Sequence, residues 1–202
     1  MQPIHLPAAE LLLDAEFLTT REAATLFTIL TDQVEWQQQP IRLFGREVLQ
    51  PRLTAWYGDA GAAYAYSGLR LEPLPWLPEL AMLRQRVEQA TEARFNSVLL
   101  NLYRTGQDSM GYHADDEPEL GLEPVIASVT LGATRTFRLK PRPVAFPVSA
   151  RLPEPVSLPL TSGSLLVMQG PTQRNWLHAL PKTARPVGPR LNLTFRWVSP
   201  TT

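Results

Sequence analysis

The chain has 202 residues, 44% of them hydrophobic, and its 19 basic side chains balance 19 acidic ones. That length suits one domain with a sizeable core, and the balanced charge excludes a global basic field as the means of binding nucleic acid or membrane. No stretch reaches the ~18 apolar residues of a membrane-spanning helix, and the absence of cysteine excludes disulfides and thiolate metal sites.

The Leu11-Leu12-Leu13 run is short and has no basic region before it, which argues against a secretory leader and for a cytoplasmic chain. Thr19 to Trp36 predicts a helix: Thr19 and Glu22 have capping-box spacing, and Ala23, Leu26, Phe27, Leu30 and Val34 follow at helical intervals. Leu43-Phe44-Gly45-Arg46 ahead of Pro51-Arg52 has the pattern of a β-hairpin tip with an exposed apolar residue. In the run from Tyr57 to Gly68, Tyr64 and Tyr66 fall on one face of a short strand and could wall a pocket for a flat base. Pro78 opens a second predicted helix with Leu80, Leu83, Val87 and Ala90 as its buried stripe.

After Asn96 come β-type runs near 97–103, 125–131, 136–140, 156–160, 164–169, 175–180 and 190–198, separated by turns containing Gly or Pro. The proline-rich stretch from Pro141 to Pro159 reads as a long hairpin excursion, because strand patterns resume on both sides. There is no internal repeat and no linker. The expected class is α+β and β-rich, with early helices bracing a jelly roll of many short strands.

Two patterns carry the chemistry. Residues i and i+2 of a strand share a face, so His113 and Asp115 on a strand or its frayed end would present an imidazole beside a carboxylate. His178 from a neighbouring strand would complete a 2-His-1-carboxylate set, which leaves positions open on a non-haem Fe(II) ion. A bare His-x-Asp is a weak signal, and a His hydrogen-bonded to a nearby carboxylate is its ordinary alternative. The second pattern is Arg190-Leu191-Asn192-Leu193-Thr194-Phe195-Arg196, one polar and one apolar face of a single strand. Its two guanidiniums stand roughly 20 Å apart at ~3.3 Å per residue, so curvature or side-chain reach must bring them to one small dicarboxylate. A solvated strand face is the alternative.

These residues, with Phe95 to Tyr103, Ile126 to Gly132, Gly163 to Met168 and Pro189 to Arg196, resemble the AlkB family of Fe(II)- and 2-oxoglutarate-dependent dioxygenases. The resemblance runs from about Phe44 to Val198 and is strongest to the branch that repairs double-stranded DNA. It implies a double-stranded β-helix in a single domain over 1–202, with 1–40 as helical support, 41–95 as a nucleotide-recognition lid and helix, and 96–198 as the catalytic core. His113, Asp115 and His178 would hold iron. Arg190 and Tyr103 would hold the distal carboxylate of 2-oxoglutarate, Arg196 and Asn101 the carboxylate next to the keto group, with Asn192 and Thr194 in support.

The implied reaction is oxidative demethylation of bases of the 1-methyladenine and 3-methylcytosine type in DNA, with O2 consumed and succinate, CO2 and formaldehyde released. RNA, protein or a small molecule would be the substrate in a second reading, and a metal-bound nucleic-acid-binding module without turnover is a third. For the substrate, the resemblance implies Phe44 as a wedge that fills the vacated base stack and Tyr66 as a stacking face. It adds Tyr64 and Ser67 nearby, Arg52 on the phosphates or the opposite strand, and Asp116 and Glu117 on a cationic methylated base. The expected partner is alkylated nucleic acid bound by a monomer, free of membrane and lying in the cytoplasm on the nucleoid, or in the nucleus of a eukaryote.

Overall fold

The computed structural model describes residues 1–43, 46–62, 64–66, 69–147 and 151–199, so Phe44 and Ser67 lie outside the described residues. The chain opens with β1 (Gln2–Ile4) and β2 (Glu10–Asp14), then helix α1 (Thr20–Gln33), and the hairpin β3 (Pro40–Leu43) and β4 (Arg46–Leu49). β5 (Leu53–Gly58), β6 (Tyr64–Tyr66), β7 (Leu69–Leu71) and helix α2 (Pro78–Thr91) follow. The remaining strands are β8 (Ser97–Tyr103), β9 (Met110–His113), β10 (Ile126–Gly132), β11 (Arg135–Pro141), β12 (Val156–Leu160), β13 (Leu165–Gln169), β14 (Trp176–Leu180) and β15 (Arg190–Arg196), with a single helical turn, α3 (Thr172–Asn175), before β14.

Two antiparallel sheets face each other, as a jelly roll requires. The larger has the order β1-β2-β13-β10-β15-β8-β5 and the smaller β12-β11-β14-β9. Alternation along the larger sheet creates two cores. Leu100, Leu102, Val129, Leu131, Leu191, Leu193 and Phe195 point outward and pack under α1 and α2, through Ala23, Leu30, Leu80, Leu83 and Val87. From the opposite face Leu99, Ile126, Leu166 and Met168 meet Leu139, Leu160 and Trp176 between the sheets. The polar residues of β15 alternate with that apolar set, so they too fall between the sheets.

Both predicted helices form where expected. Thr19 caps α1 in a reciprocal capping box, its Oγ1 accepting from Glu22 N while Glu22 Oε2 accepts from Thr19 N at 2.8 Å. Those hydrogen bonds, and the Arg86 guanidinium, hold the Glu22 carboxyl down at about 2 from an ordinary 4.5. A depressed carboxyl stabilises the folded chain above its unfolded value, so this contribution is complete above pH 4.5 and disappears as pH falls toward about 2. Thr19→Ala is expected to cost about 1 kcal/mol in urea denaturation at neutral pH.

The 1–40 segment is not helical support alone. β1 and β2 extend the larger sheet, with Leu11, Leu12 and Leu13 opposite Met168, Val167 and Leu166. Three consecutive leucines carry no period-2 signal, and Pro3 is tolerated because β1 is an edge strand. The 41–95 segment likewise contributes β5 to the larger sheet, where Leu53 to Gly58 pair with β8. The hairpin excursion forms: β12 returns antiparallel to β11, Val156 opposite Leu139.

Candidate metal centre

Strand pairing assembles the triad. His113 ends β9 and is the register partner of His178 on β14, and Asp115 follows just beyond the strand. The His113 and His178 Nε2 atoms each lie 3.9 Å from an oxygen of the Asp115 carboxylate. One ligand atom from each residue falls within 4.8 Å of the others. His113 Nδ1 lies 2.9 Å from Gly111 O, which fixes the proton there and leaves the Nε2 lone pair toward Asp115. Phe137 stacks on the His178 ring at 5.4 Å, and the two imidazoles meet edge to face at 4.2 Å.

The electrostatics suit a cation. Burial and the neighbouring His113 push His178 down to about 3, and burial also lowers His113, so both imidazoles are neutral with free lone pairs. For Asp115, burial pulls its carboxyl up. Arg196 and the two imidazoles outweigh that and hold it at about 2. Arg196 donates to Asp115 Oδ1 at 2.9 Å, and the buried Oδ2 has no hydrogen-bond partner among the described residues. A buried anionic oxygen without a partner, between two neutral imidazoles, fits a divalent ion such as Fe(II).

Gln173 was not singled out from the sequence. Its buried side chain accepts from Asp115 N at 3.0 Å and reaches Met168 Sδ at 3.6 Å. It sits in the single turn α3, which falls mostly between the β-type runs expected at 164–169 and 175–180. Gln173→Ala would leave the Asp115 N–H buried without that acceptor. Iron affinity is expected to fall about 10-fold or more by calorimetric titration, with a stability loss of about 1–3 kcal/mol.

One polar face leads away from the triad. Arg190, Asn192, Thr194 and Arg196 are all buried, so the solvated-face alternative is gone. Arg190 donates to Asn192 Oδ1 at 2.8 Å, Asn192 Nδ2 donates to Thr194 Oγ1 at 2.7 Å, and Ser128 Oγ donates to Asn192 Oδ1 at 3.0 Å. A line of hydrogen-bonded side chains thus runs from Arg190 through Asn192 to Thr194, and both guanidiniums line one pocket with Asn101, Tyr103, Met110, Phe137, Met168 and the triad. β8 pairs with β15 so that Tyr103 stands opposite Arg190 and Asn101 opposite Asn192. The Arg190 guanidinium lies 5.5 Å from the centre of the Tyr103 ring.

Three of the expected substrate residues lie outside the lining of this pocket. Arg52 is buried, its Nε donating to Asn101 Oδ1 at 2.7 Å, so it orients a pocket amide instead of offering an exposed guanidinium to a phosphate. Asp116 is exposed and paired with Arg142 at 2.9 Å, and Glu117 begins a 3-10 turn; neither lines the pocket. Tyr64 and Tyr66 are the two ends of β6.

Residues 10–196 match the 2OG-Fe(II) oxygenase superfamily. The chain is 42% identical over 201 residues to the DNA oxidative demethylase ALKBH2 of Mus musculus, covering 98% of this chain and 84% of that protein. The chain belongs to the AlkB family. It is also 44% identical over 186 residues to the alpha-ketoglutarate-dependent dioxygenase alkB homolog 3 of Bos taurus, covering 91% of this chain and spanning 64% of that relative's length. Identity therefore does not single out the double-strand branch within the AlkB family. The solved structure of OsALKBH1 superposes with a TM-score of 0.63 at 19% identity, over 96% of this chain and 99% of that one, so the AlkB-family jelly roll is shared well beyond the close relatives.

Proposed function

We propose that this protein is an Fe(II)- and 2-oxoglutarate-dependent dioxygenase that removes methyl groups from N-alkylated bases in DNA. The observation that carries the reading is the His113, Asp115, His178 set opening onto a pocket whose other wall is Arg190, Asn192 and Tyr103. The mouse relative named a DNA oxidative demethylase supports the choice of DNA. When bound, iron with 2-oxoglutarate and O2 supplies the oxidant that hydroxylates the N-methyl carbon, after which the product collapses to formaldehyde and the unmodified base.

The protein's part is to bind and orient. His113, Asp115 and His178 hold the metal with two neutral nitrogens and one anionic oxygen. Arg190 and the Tyr103 hydroxyl take the distal carboxylate of 2-oxoglutarate, while Asn192 and Thr194 fix the Arg190 fork by the hydrogen bonds described above. Arg196, bound to Asp115, would attract the carboxylate of 2-oxoglutarate next to the keto group. Asn101, oriented by Arg52, lies between these two ends. Phe44, Tyr64, Tyr66 and Ser67 are assigned to substrate contact by the family resemblance alone. No helix among the described residues is long and apolar enough to cross a membrane. A monomer acting in the compartment that holds its DNA is part of the proposal.

The test is a matched panel of 1-methyladenine and 3-methylcytosine in duplex DNA, single-stranded DNA and tRNA, with Fe(II) and 2-oxoglutarate. The expected result is one formaldehyde per succinate in a DNA arm, abolished by His113→Ala. DNA turnover no higher than that variant's would overturn the reading, and turnover confined to the tRNA arm would transfer it to RNA.

A further inference from the structure

Arg135 is buried at the start of β11, outside the lining of the pocket, and no motif drew attention to it. Its guanidinium donates to three backbone carbonyls: Thr105 O at 3.1 Å, Asp108 O at 3.0 Å and Pro181 O at 2.7 Å. Thr105 and Asp108 belong to the loop that begins immediately after Tyr103. Pro181 begins the loop that leaves Leu180, another pocket residue. Arg135 therefore ties together two loops at the Tyr103 end of the pocket.

The two loops are joined independently as well. Thr183 N donates to Gly106 O at 2.9 Å, and a Cβ on Gly106 would lie 2.6 Å from Thr183 O, an approach only glycine permits. The loop carboxylate, Asp108, is held bidentately by Arg104 at 2.8 and 3.0 Å. Arg135 and Arg190 have no carboxylate within 4.0 Å among the described residues. Burial lowers both guanidiniums, the Tyr103 hydroxyl opposes the shift in each, Asp108 also opposes that of Arg135, and Arg135 adds to the shift of Arg190.

We propose that Arg135 is a positioning residue for the co-substrate: by clamping the two loops it fixes Tyr103, and with Arg190 it makes the far end of the pocket cationic, selecting a 2-oxo acid with a second carboxylate. This inference rests on the reading of Arg190 and Tyr103 as the holders of the distal carboxylate. The acceptors that hold Arg135 are three neutral carbonyls, and the nearby Asp108 carboxylate is bound by Arg104, so a distal carboxylate entering beside Tyr103 meets a second cation besides Arg190.

The experiment compares binding of 2-oxoglutarate and of 2-oxopentanoate, which has the same chain length and no distal carboxylate, to the anaerobic iron-loaded protein by calorimetry. Wild type is expected to prefer 2-oxoglutarate. Arg135→Met should weaken 2-oxoglutarate by roughly tenfold or more and leave 2-oxopentanoate within about twofold, because only the distal end is disturbed. A purely structural role would weaken both ligands equally, and that result, or an unchanged preference, overturns the inference. Should Arg135→Met fail to fold, Arg135→Gln decides the same point, since the amide removes the charge and offers two donors in place of five. A fall in the preference by about threefold or more supports the proposal, and an unchanged preference overturns it. A wild-type protein with no preference overturns the co-substrate reading and this inference together, whereas a preference that survives in Arg135→Met overturns this inference alone.

Discussion

Asp115→Ala is expected to abolish turnover and to destabilise the metal-free protein as well, whereas His178→Ala should abolish turnover with a much smaller loss of stability. Both remove a metal ligand, but their roles in the empty fold differ. Asp115 accepts a charged hydrogen bond from Arg196 between two side chains that are only 2% and 4% exposed. Removing one partner of such a pair leaves a cation in a low-dielectric interior and costs about 3–5 kcal/mol. His178 is neutral in the same environment, because burial and His113 hold its imidazole at about 3. Its loss is one of packing against Phe137 and His113, in a pocket that water can enter. Urea denaturation in the presence of a chelator separates the two, and iron titration should show binding lost in both. Equal stability losses would mean that the Asp115–Arg196 pair does not contribute to the fold. Asp115→Asn should fall between, since the amide oxygen still accepts from Arg196 without carrying charge.

The core strands were legible because they obey alternation. The runs at 97–103 and 156–160 form within their expected bounds, and the run at 190–198 became a strand from Arg190 to Arg196. The triad and the Arg190 face were legible for a related reason, since i, i+2 spacing on a strand is a statement about geometry. What stayed hidden depends on contacts distant in sequence. β2 is a leucine run whose strand identity comes from pairing with β13, some 150 residues away. Gln173 and Arg135 act on Asp115 and Tyr103 through single hydrogen bonds or loop carbonyls that no local pattern encodes. The Arg52 contact was hidden in the same way: a basic residue after a hairpin tip reads as a phosphate contact, and only the pairing of β5 with β8 brings it to Asn101.

Arg190→Met is expected to lower 2-oxoglutarate affinity by about 30- to 4,000-fold, the range corresponding to about 2–5 kcal/mol for truncating one member of a buried charged pair. Iron affinity should be retained, because Arg190 touches none of the three ligands. In the ligand-free fold the sign should reverse. Arg190 is 2% exposed, burial draws its guanidinium down to about 10, and its Nε has no hydrogen-bond partner among the described residues. Its NH2 rests on Thr130 and Asn192, which are neutral. A buried cation whose nearest acceptors carry no charge is a cost to the empty protein, so a methionine of similar volume should leave stability unchanged or raise it. Thermal unfolding with and without 2-oxoglutarate tests both halves together: wild type should gain stability from the ligand by mass action, and Arg190→Met should start level or higher and gain little. A variant that melts far below wild type without ligand would show that Arg190 serves the fold, and one that keeps 2-oxoglutarate affinity within about threefold would remove it from the binding site. The expected pattern, in which the empty protein gains or holds stability while the ligand loses affinity, is the one that an arginine buried to meet an incoming carboxylate must produce.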